Sequence, residues 1–456
     1  MYTDMDYTQK VREIFSRRES PPLCCVQSFG CQQNVADGER ITGMLCDMGC
    51  GIAPDISGAD IVILNTCAVR ENAEQRVYGI IGELKHLKEN NPAAVIGICG
   101  CMAQEKGTVD KIKRSYRHVD LVFGTFATAE LPRLLYEVLT ERRFAVDTEE
   151  RAGECPENIP VVRSCSYKAG VSIMYGCNNF CSFCIVPYVR GRERSRRPDS
   201  IIEEIKVLAD SGCKEIMLLG QNVNSYGRGL DEKIDFPELL RRIDAVDGDF
   251  RIRFMSPHPK DATKEFFDVI AQSRKIAKSV HLPLQSGSNE ILRRMHRSYT
   301  AEKYMDMVEY ARKVMPGLSI TTDIIVGFPD ESREDFEQTL DIMRRVRYDN
   351  IYSFIYSKRT GTKAADMPDS ISDKEKSERM GELLALQRSI TEESYRRFEG
   401  QTFDVLFDGT YKDTFISGKS DEFIITLVKG EPSLIGTMRR VKVTKAHNWA
   451  VEGELI

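Results

Sequence analysis

The stretch Cys177-Asn178-Asn179-Phe180-Cys181-Ser182-Phe183-Cys184 decides how the rest of the chain is read. Three cysteines spaced by three and then two residues, just after an apolar run at 171–175, can clasp one face of a metal cluster. Three protein ligands leave one iron of a four-iron cluster open to a substrate or cofactor. A structural zinc site would want a fourth ligand and a closed tetrahedron, for which Cys165 is the candidate upstream. The neighbouring sequence favours the open cluster.

After the triplet come strand patterns at 215–219, 251–255, 279–282, 320–326 and 351–355, with helical patterns such as 200–211, 236–246, 261–273 and 331–346 between them. With the run at 171–175 these six units predict an α/β fold, a partial (β/α)6 barrel whose chemistry sits at the C-terminal strand ends. A charged helix over 373–398 closes this region. Upstream, strand patterns at 24–29, 60–65, 93–98 and 120–123 alternate with helical ones, as in a parallel-sheet α/β domain. Downstream, strands at 402–407, 414–417, 423–427, 434–444 and 449–455 predict a small OB-like β-barrel. The charged stretch 148–160, with two prolines and a glycine, reads as a linker. The expected division is therefore an extension (1–22), an N-terminal domain (23–147), a linker (148–162), the barrel (163–392) and a C-terminal domain (393–456).

Composition limits the alternatives. The 456 residues are too many for one ordinary core. No apolar run approaches the roughly 18–20 residues of a membrane span, and residues 1–20 lack a secretory signal, so a cytoplasmic protein without membrane contact is expected. A net charge of −5 gives no global case for nucleic acid. Fourteen cysteines in such a chain point to metal or redox chemistry rather than disulfides. Three of them recur at one structural position: Cys31 in Phe29-Gly30-Cys31-Gln32-Gln33-Asn34, Cys67 in Asn65-Thr66-Cys67-Ala68-Val69-Arg70, and Cys101 in Gly100-Cys101-Met102-Ala103. Each follows a strand, and the spacings of 36 and 34 residues match one βαβ unit apiece. The C-terminal ends of parallel strands share one edge, so these thiols are expected to converge there, each before a helix start that favours a negatively charged sulfur. The other eight, at 24, 25, 46, 50, 99, 155, 165 and 213, read as packing residues.

The C-x3-C-x2-C triplet resembles the signature of the radical S-adenosylmethionine (SAM) enzymes, a resemblance extending over about 162–373. It implies that Cys177, Cys181 and Cys184 hold a [4Fe-4S] cluster whose open iron chelates SAM and whose electron cleaves it to a 5′-deoxyadenosyl radical. Motifs after later strands would form the SAM face: Gly220, Gln221 and Asn222, then Ser256 and His258, then Gln285, then Asp323. A second cysteine triad ahead of such a barrel resembles the methylthiotransferases, whose members end in an RNA-binding TRAM domain; here the likeness covers nearly the whole chain from residue 23. Ser28-Phe29-Gly30-Cys31-Gln32-Gln33-Asn34 and Tyr175-Gly176-Cys177 are most similar to the MiaB-type branch, in which a Met is frequent where Gln33 stands. The resemblance implies a second [4Fe-4S] cluster on Cys31, Cys67 and Cys101, carrying the sulfur for transfer. It also implies transfer of a methylthio group to C-2 of isopentenylated adenosine beside the tRNA anticodon, with a donor such as flavodoxin or ferredoxin and a separate sulfur source. Other branches act on threonylcarbamoyladenosine or a ribosomal protein, and a non-catalytic iron–sulfur electron carrier is the remaining alternative. Arg190, Arg192, Arg194, Arg196 and Arg197, five arginines in eight residues, are candidate RNA phosphate contacts. So are Arg439, Arg440 and Lys442, although residues 401–456 hold seven basic and eight acidic side chains.

Overall fold

The computed structural model describes residues 5–68, 71–151, 155–412 and 414–456. Val69 and Arg70 of the motif after Cys67, residues 152–154 of the expected linker and residues 1–4 of the extension lie outside them. The chain forms two compact units that interleave: Met1–Ser164, Ser172–Asn178 and Ile185–Ser200 in one, and Cys165–Val171, Asn179–Cys184 and Ile201–Ile456 in the other.

The first unit is built on a parallel sheet of β1 (Leu23–Ser28), β2 (Gly51–Ile52), β3 (Ile61–Thr66), β4 (Val95–Gly100), β5 (Leu121–Phe123) and β6 (Ala145–Asp147), in the order β2-β1-β3-β4-β5-β6. Every residue of β3 and β4 is buried, as expected for parallel strands covered on both faces. Ile61, Ile63 and Leu121 pack with helices Gln32–Asp47 and Leu131–Glu141 on one face, and Val62, Leu64 and Ile98 with Val77, Ile81 and Ile112 on the other. The N-terminal extension belongs to this domain: helix Met5–Ser16 buries Val11 and Phe15 in the first of these cores. Val11 and Phe15, four apart, lie on one helical face with Ile14 partly buried beside them, in a short segment rich in charged residues, a signal too thin to stand out in the sequence. The two sheet edges, β2 and β6, were also not anticipated, being only two and three residues long.

The apolar run at 171–175 is broken into β7 (Lys168–Ser172) and β8 (Met174–Tyr175), and β8 pairs antiparallel with β9 (Arg194–Ser195) in the first unit. In the second unit β7 joins β10 (Glu215–Leu219) and β11 (Arg251–Phe254) in one parallel sheet. A second parallel sheet holds β12 (Ser279–His281), β13 (Ser319–Val326) and β14 (Asn350–Ile355). An Ile252–Ile276 bridge links the two into the expected six-stranded open barrel in chain order. Helix Asp373–Arg396 follows, and then a closed barrel of β15 (Thr402–Tyr411), β16 (Phe415–Lys419), β17 (Ile425–Lys429), β18 (Met438–Ala446) and β19 (Val451–Leu455). Phe403, Val405, Phe407, Ile416, Val441 and Val443 fill it.

Candidate functional site

In the first unit, strand register brings the three isolated cysteines to one edge. Asn65 pairs with both Ser28 and Cys99, and Thr66 with Gly100, so Cys67 and Cys101 leave neighbouring strands at the same level. Gly100 makes that turn with φ +91, where a Cβ would lie 2.4 Å from Thr66 O. Cys31 caps helix Gln32–Asp47, and Asn34 in that helix's first turn donates to Thr66 O at 2.9 Å. Asn65 in turn donates to Asn34 O at 2.6 Å, tying the Cys31 turn to the Cys67 strand. Cys67 and Cys101 are buried while Cys31 is exposed. Burial pushes the Cys101 thiol up to about 11, partly offset by the Arg190 guanidinium, while Cys67 and Cys31 lie close enough to add to the rise. A negatively charged Cys101 sulfur therefore needs a positive partner, such as Arg190 together with a metal.

Arg190 differs from its expected role. Its guanidinium is buried at 4% exposure, with Nε 3.2 Å from Cys101 Sγ and Nη2 2.9 Å from Asp37 Oδ2. Arg196 is equally buried, held by Glu157 and by Ser172 O. Both have internal partners instead of the expected phosphate contacts, because Arg190, at the end of the short helix Val186–Val189, and Arg196, just after β9, turn their side chains inward. Arg194 is half-buried over the Phe126 ring, while Arg192 and Arg197 are exposed. On β18, Arg439, Arg440 and Lys442 are all exposed, while Val441 and Val443 point into the barrel core.

The cysteine triplet begins in the first unit, where Cys177 donates its N–H to Gly191 O at 3.0 Å. Gly176, at φ +75, allows this approach; a Cβ there would lie 2.1 Å from Arg192 O. The remaining two cysteines belong to the second unit. Arg297, buried and bonded to Pro283 O at 2.8 Å, places Nη1 3.5 Å from Cys181 Sγ. His296 approaches Asn179 O and Phe180 O at 3.1 Å, and Ser182 donates its N–H to Met295 O. Lys260 Nζ also bonds Asn179 Oδ1. Arg297, Lys260 and Asp261 were missed in the sequence, where they look like ordinary surface charges near helix ends.

The expected SAM face lies on these strand ends. Asn222 donates to Asp261 at 2.9 Å, and Ser256 and Gln285 hold φ of +65 and +69, uncommon for residues with a side chain. Gln285 bridges to Ile324, its N–H bonding Asp323 O at 2.8 Å, and Asp323 faces His281 at 3.4 Å. Burial, with Arg297 and Lys260 nearby, holds His258 far below its ordinary value and hence neutral. Gln221 Oε1, Asn222 Oδ1 and His258 Nε2 are buried without a hydrogen-bond partner, an uncommon cost unless a polar ligand supplies one. These residues fit SAM. Among the described residues no three His, Cys, Asp or Glu side chains gather to the spacing of a single ion. Cysteines that each bind a different iron of a cluster stand further apart than that.

An α/β barrel with this cysteine loop after its first strand and polar groups at its strand ends defines a radical SAM enzyme. The chain matches the Radical SAM superfamily over 171–343, Uncharacterized protein family UPF0004 over 24–124 and the TRAM domain over 396–456. It is 46% identical to tRNA-2-methylthio-N(6)-dimethylallyladenosine synthase of Thermoanaerobacter pseudethanolicus over 94% of this chain and 92% of that one. To the protein of the same name in Clostridium novyi it is 45% identical, over 99% and 100%. The fold is also that of the radical SAM methyltransferase TsrM from Kitasatospora setae, with TM-score 0.56 and 16% identity over 75% of each chain. The chain belongs to the MiaB-type radical SAM methylthiotransferases.

Proposed function

We propose that this enzyme adds a methylthio group to C-2 of isopentenylated adenosine beside the tRNA anticodon, using two four-iron clusters. The observation that carries the two-cluster reading is the convergence of Cys31, Cys67 and Cys101 at one sheet edge, in a chain that also has the C-x3-C-x2-C loop. The relatives' shared name supports the substrate. When bound, the clusters and SAM supply the radical, the sulfur and the methyl group, because an aromatic C–H is inert to acid–base catalysis. The protein's part is positional. Cys177, Cys181 and Cys184 hold one cluster, with Arg297, Lys260 and His296 fixing the loop from Asn179 onward. Gln221, Asn222 and neutral His258 offer their unpaired atoms to SAM. The enzyme works in the cytoplasm, drawing electrons from a flavodoxin- or ferredoxin-type donor and sulfur from a separate source.

The test removes Cys31, Cys67 and Cys101 together as Ala. The anaerobically purified variant should hold half the iron of the parent and still form 5′-deoxyadenosine. In cells lacking the parent gene, nucleoside mass spectrometry should find isopentenyladenosine without the methylthio group. Methylthio product from this variant overturns the two-cluster reading, and a product on threonylcarbamoyladenosine by the parent overturns the substrate.

A further inference from the structure

Arg190 is the least expected member of the N-terminal site. Burying a guanidinium is costly unless charged or strongly polar partners replace water. Asp37 supplies one, and is itself held by Gln33 Nε2 at 3.1 Å. The remaining close partner is a sulfur: Nε–H points at Cys101 Sγ from 3.2 Å. A neutral thiol is a weak acceptor, and one N–H aimed at it would repay little of the desolvation. A metal-bound thiolate is a strong acceptor, so the arrangement makes sense for a Cys101 that carries negative charge. The sulfur also has apolar neighbours: Ala68, Ile185 and Val189 pack around Cys101 in a small cluster. In such a medium a charge at this distance is poorly screened.

We infer that Arg190 is a positioning residue for the N-terminal [4Fe-4S] cluster, donating an N–H···S hydrogen bond to Cys101 that raises the cluster's reduction potential. Hydrogen bonds to the sulfurs, local charge and solvent exposure are the protein's means of tuning such a centre. A fixed positive charge stabilises the cluster more once it has gained an electron than before. Asp37 acts in the opposite sense: it orients the guanidinium but offsets part of its field. The inference rests on the two-cluster reading.

The experiment uses the full chain with Cys177, Cys181 and Cys184 replaced by Ala, so that only the N-terminal cluster can be seen. One-electron reduction by dithionite through mediators is followed by electron paramagnetic resonance, with iron counted on the same samples. Arg190→Met should lower the potential by at least the equivalent of tenfold in the reduced-to-oxidised ratio, 59 mV for one electron. Asp37→Asn removes the charge; its single amide oxygen can still accept from Arg190, while Gln33 can turn its own amide oxygen towards the new NH2, and the potential should rise. Arg190→Lys, which keeps the charge but not the directed Nε–H, should fall between Met and the parent. A merely structural arginine would change iron content without ordering the potentials this way. Equal potentials in all four proteins, or shifts of the same sign for Arg190→Met and Asp37→Asn, overturn the inference. So does loss of iron from both Arg190 variants with Asp37→Asn unshifted. If the background chain binds no iron at all, the two-cluster reading itself fails, and the inference with it.

Discussion

Cys99 and Cys101 lie two residues apart, yet only Cys101 stands at the proposed cluster site. Cys99 is still in β4, fully buried, its thiol pushed up by burial and by the charges of Asp37 and Cys101; Cys101 is past the turn. Position after the strand was legible in the sequence, because it depends on strand ends and spacing. The inward turn of Arg190 and Arg196 was not, because a run of arginines reads alike whether it lies on the surface or between elements. Glu105 was equally silent. It follows the short turn Met102–Gln104, and burial raises its carboxyl to about 7. The folded state thus binds this proton more tightly than the unfolded chain, where a glutamate titrates near 4.3. The stability Glu105 gains from its proton is fully present below the unfolded value and is lost as pH rises through about 7. Thermal unfolding should therefore move to lower temperature between pH 6 and pH 8, and Glu105→Gln should flatten that part of the profile. An identical slope in the variant would mean that Glu105 does not titrate there.

At the scale of elements, the long strands declared themselves through continuous apolar runs: β10 begins and ends at the residues read from the sequence, and β13 and β14 differ by one at their starts. What was hidden were contacts that depend on polar residues inside such strands. Arg251 and Arg253 alternate with apolar residues on β11 and reach the C-terminal barrel of the same unit. Arg253 Nε bonds Glu215 at 2.6 Å, while Nη1 and Nη2 bond Asp421 O and Ser420 O. Arg251 bonds Asp404 O and Lys419 O and pairs with Asp421. Glu215 stays ionised although burial opposes it, because Arg253, Lys168 and Arg251 surround it. Arg253→Met leaves that carboxylate underpaired and strips two carbonyls of their donors, a loss of about 3–5 kcal/mol. Trp449 is the single tryptophan and lies in the C-terminal barrel, so its fluorescence isolates this part of the chain during urea unfolding. The Trp449 transition should shift to lower urea in Arg253→Met. Adding Glu215→Gln should recover part of the loss, since the two residues are directly coupled; additive effects would contradict the pairing.

For the whole molecule, recognition of a polyanion has to come from placement, because the chain carries a net −5 and its last 56 residues are balanced in charge. We propose that β18 supplies that placement. Its Arg440 and Lys442 lie on the face opposite the buried Val441 and Val443, and Arg439 is exposed near the strand's start. Trp449, 43% exposed and packed against Tyr411, adds an aromatic surface on which a base can stack. Each phosphate contact releases counterions, and the slope of log K against log salt falls by roughly 0.7–0.9 per contact removed. Replacing Arg439, Arg440 and Lys442 by Ala should weaken tRNA binding and flatten the salt dependence by roughly two to three units if all three touch phosphate. Cleavage of SAM without tRNA should be unchanged, because the barrel's own site is intact. Replacing the exposed Arg192 and Arg197 should add a smaller flattening of the same kind. A triple β18 variant with the parent's salt slope would make that strand an ordinary solvated face. Recognition of tRNA would then have to come from elsewhere on the chain.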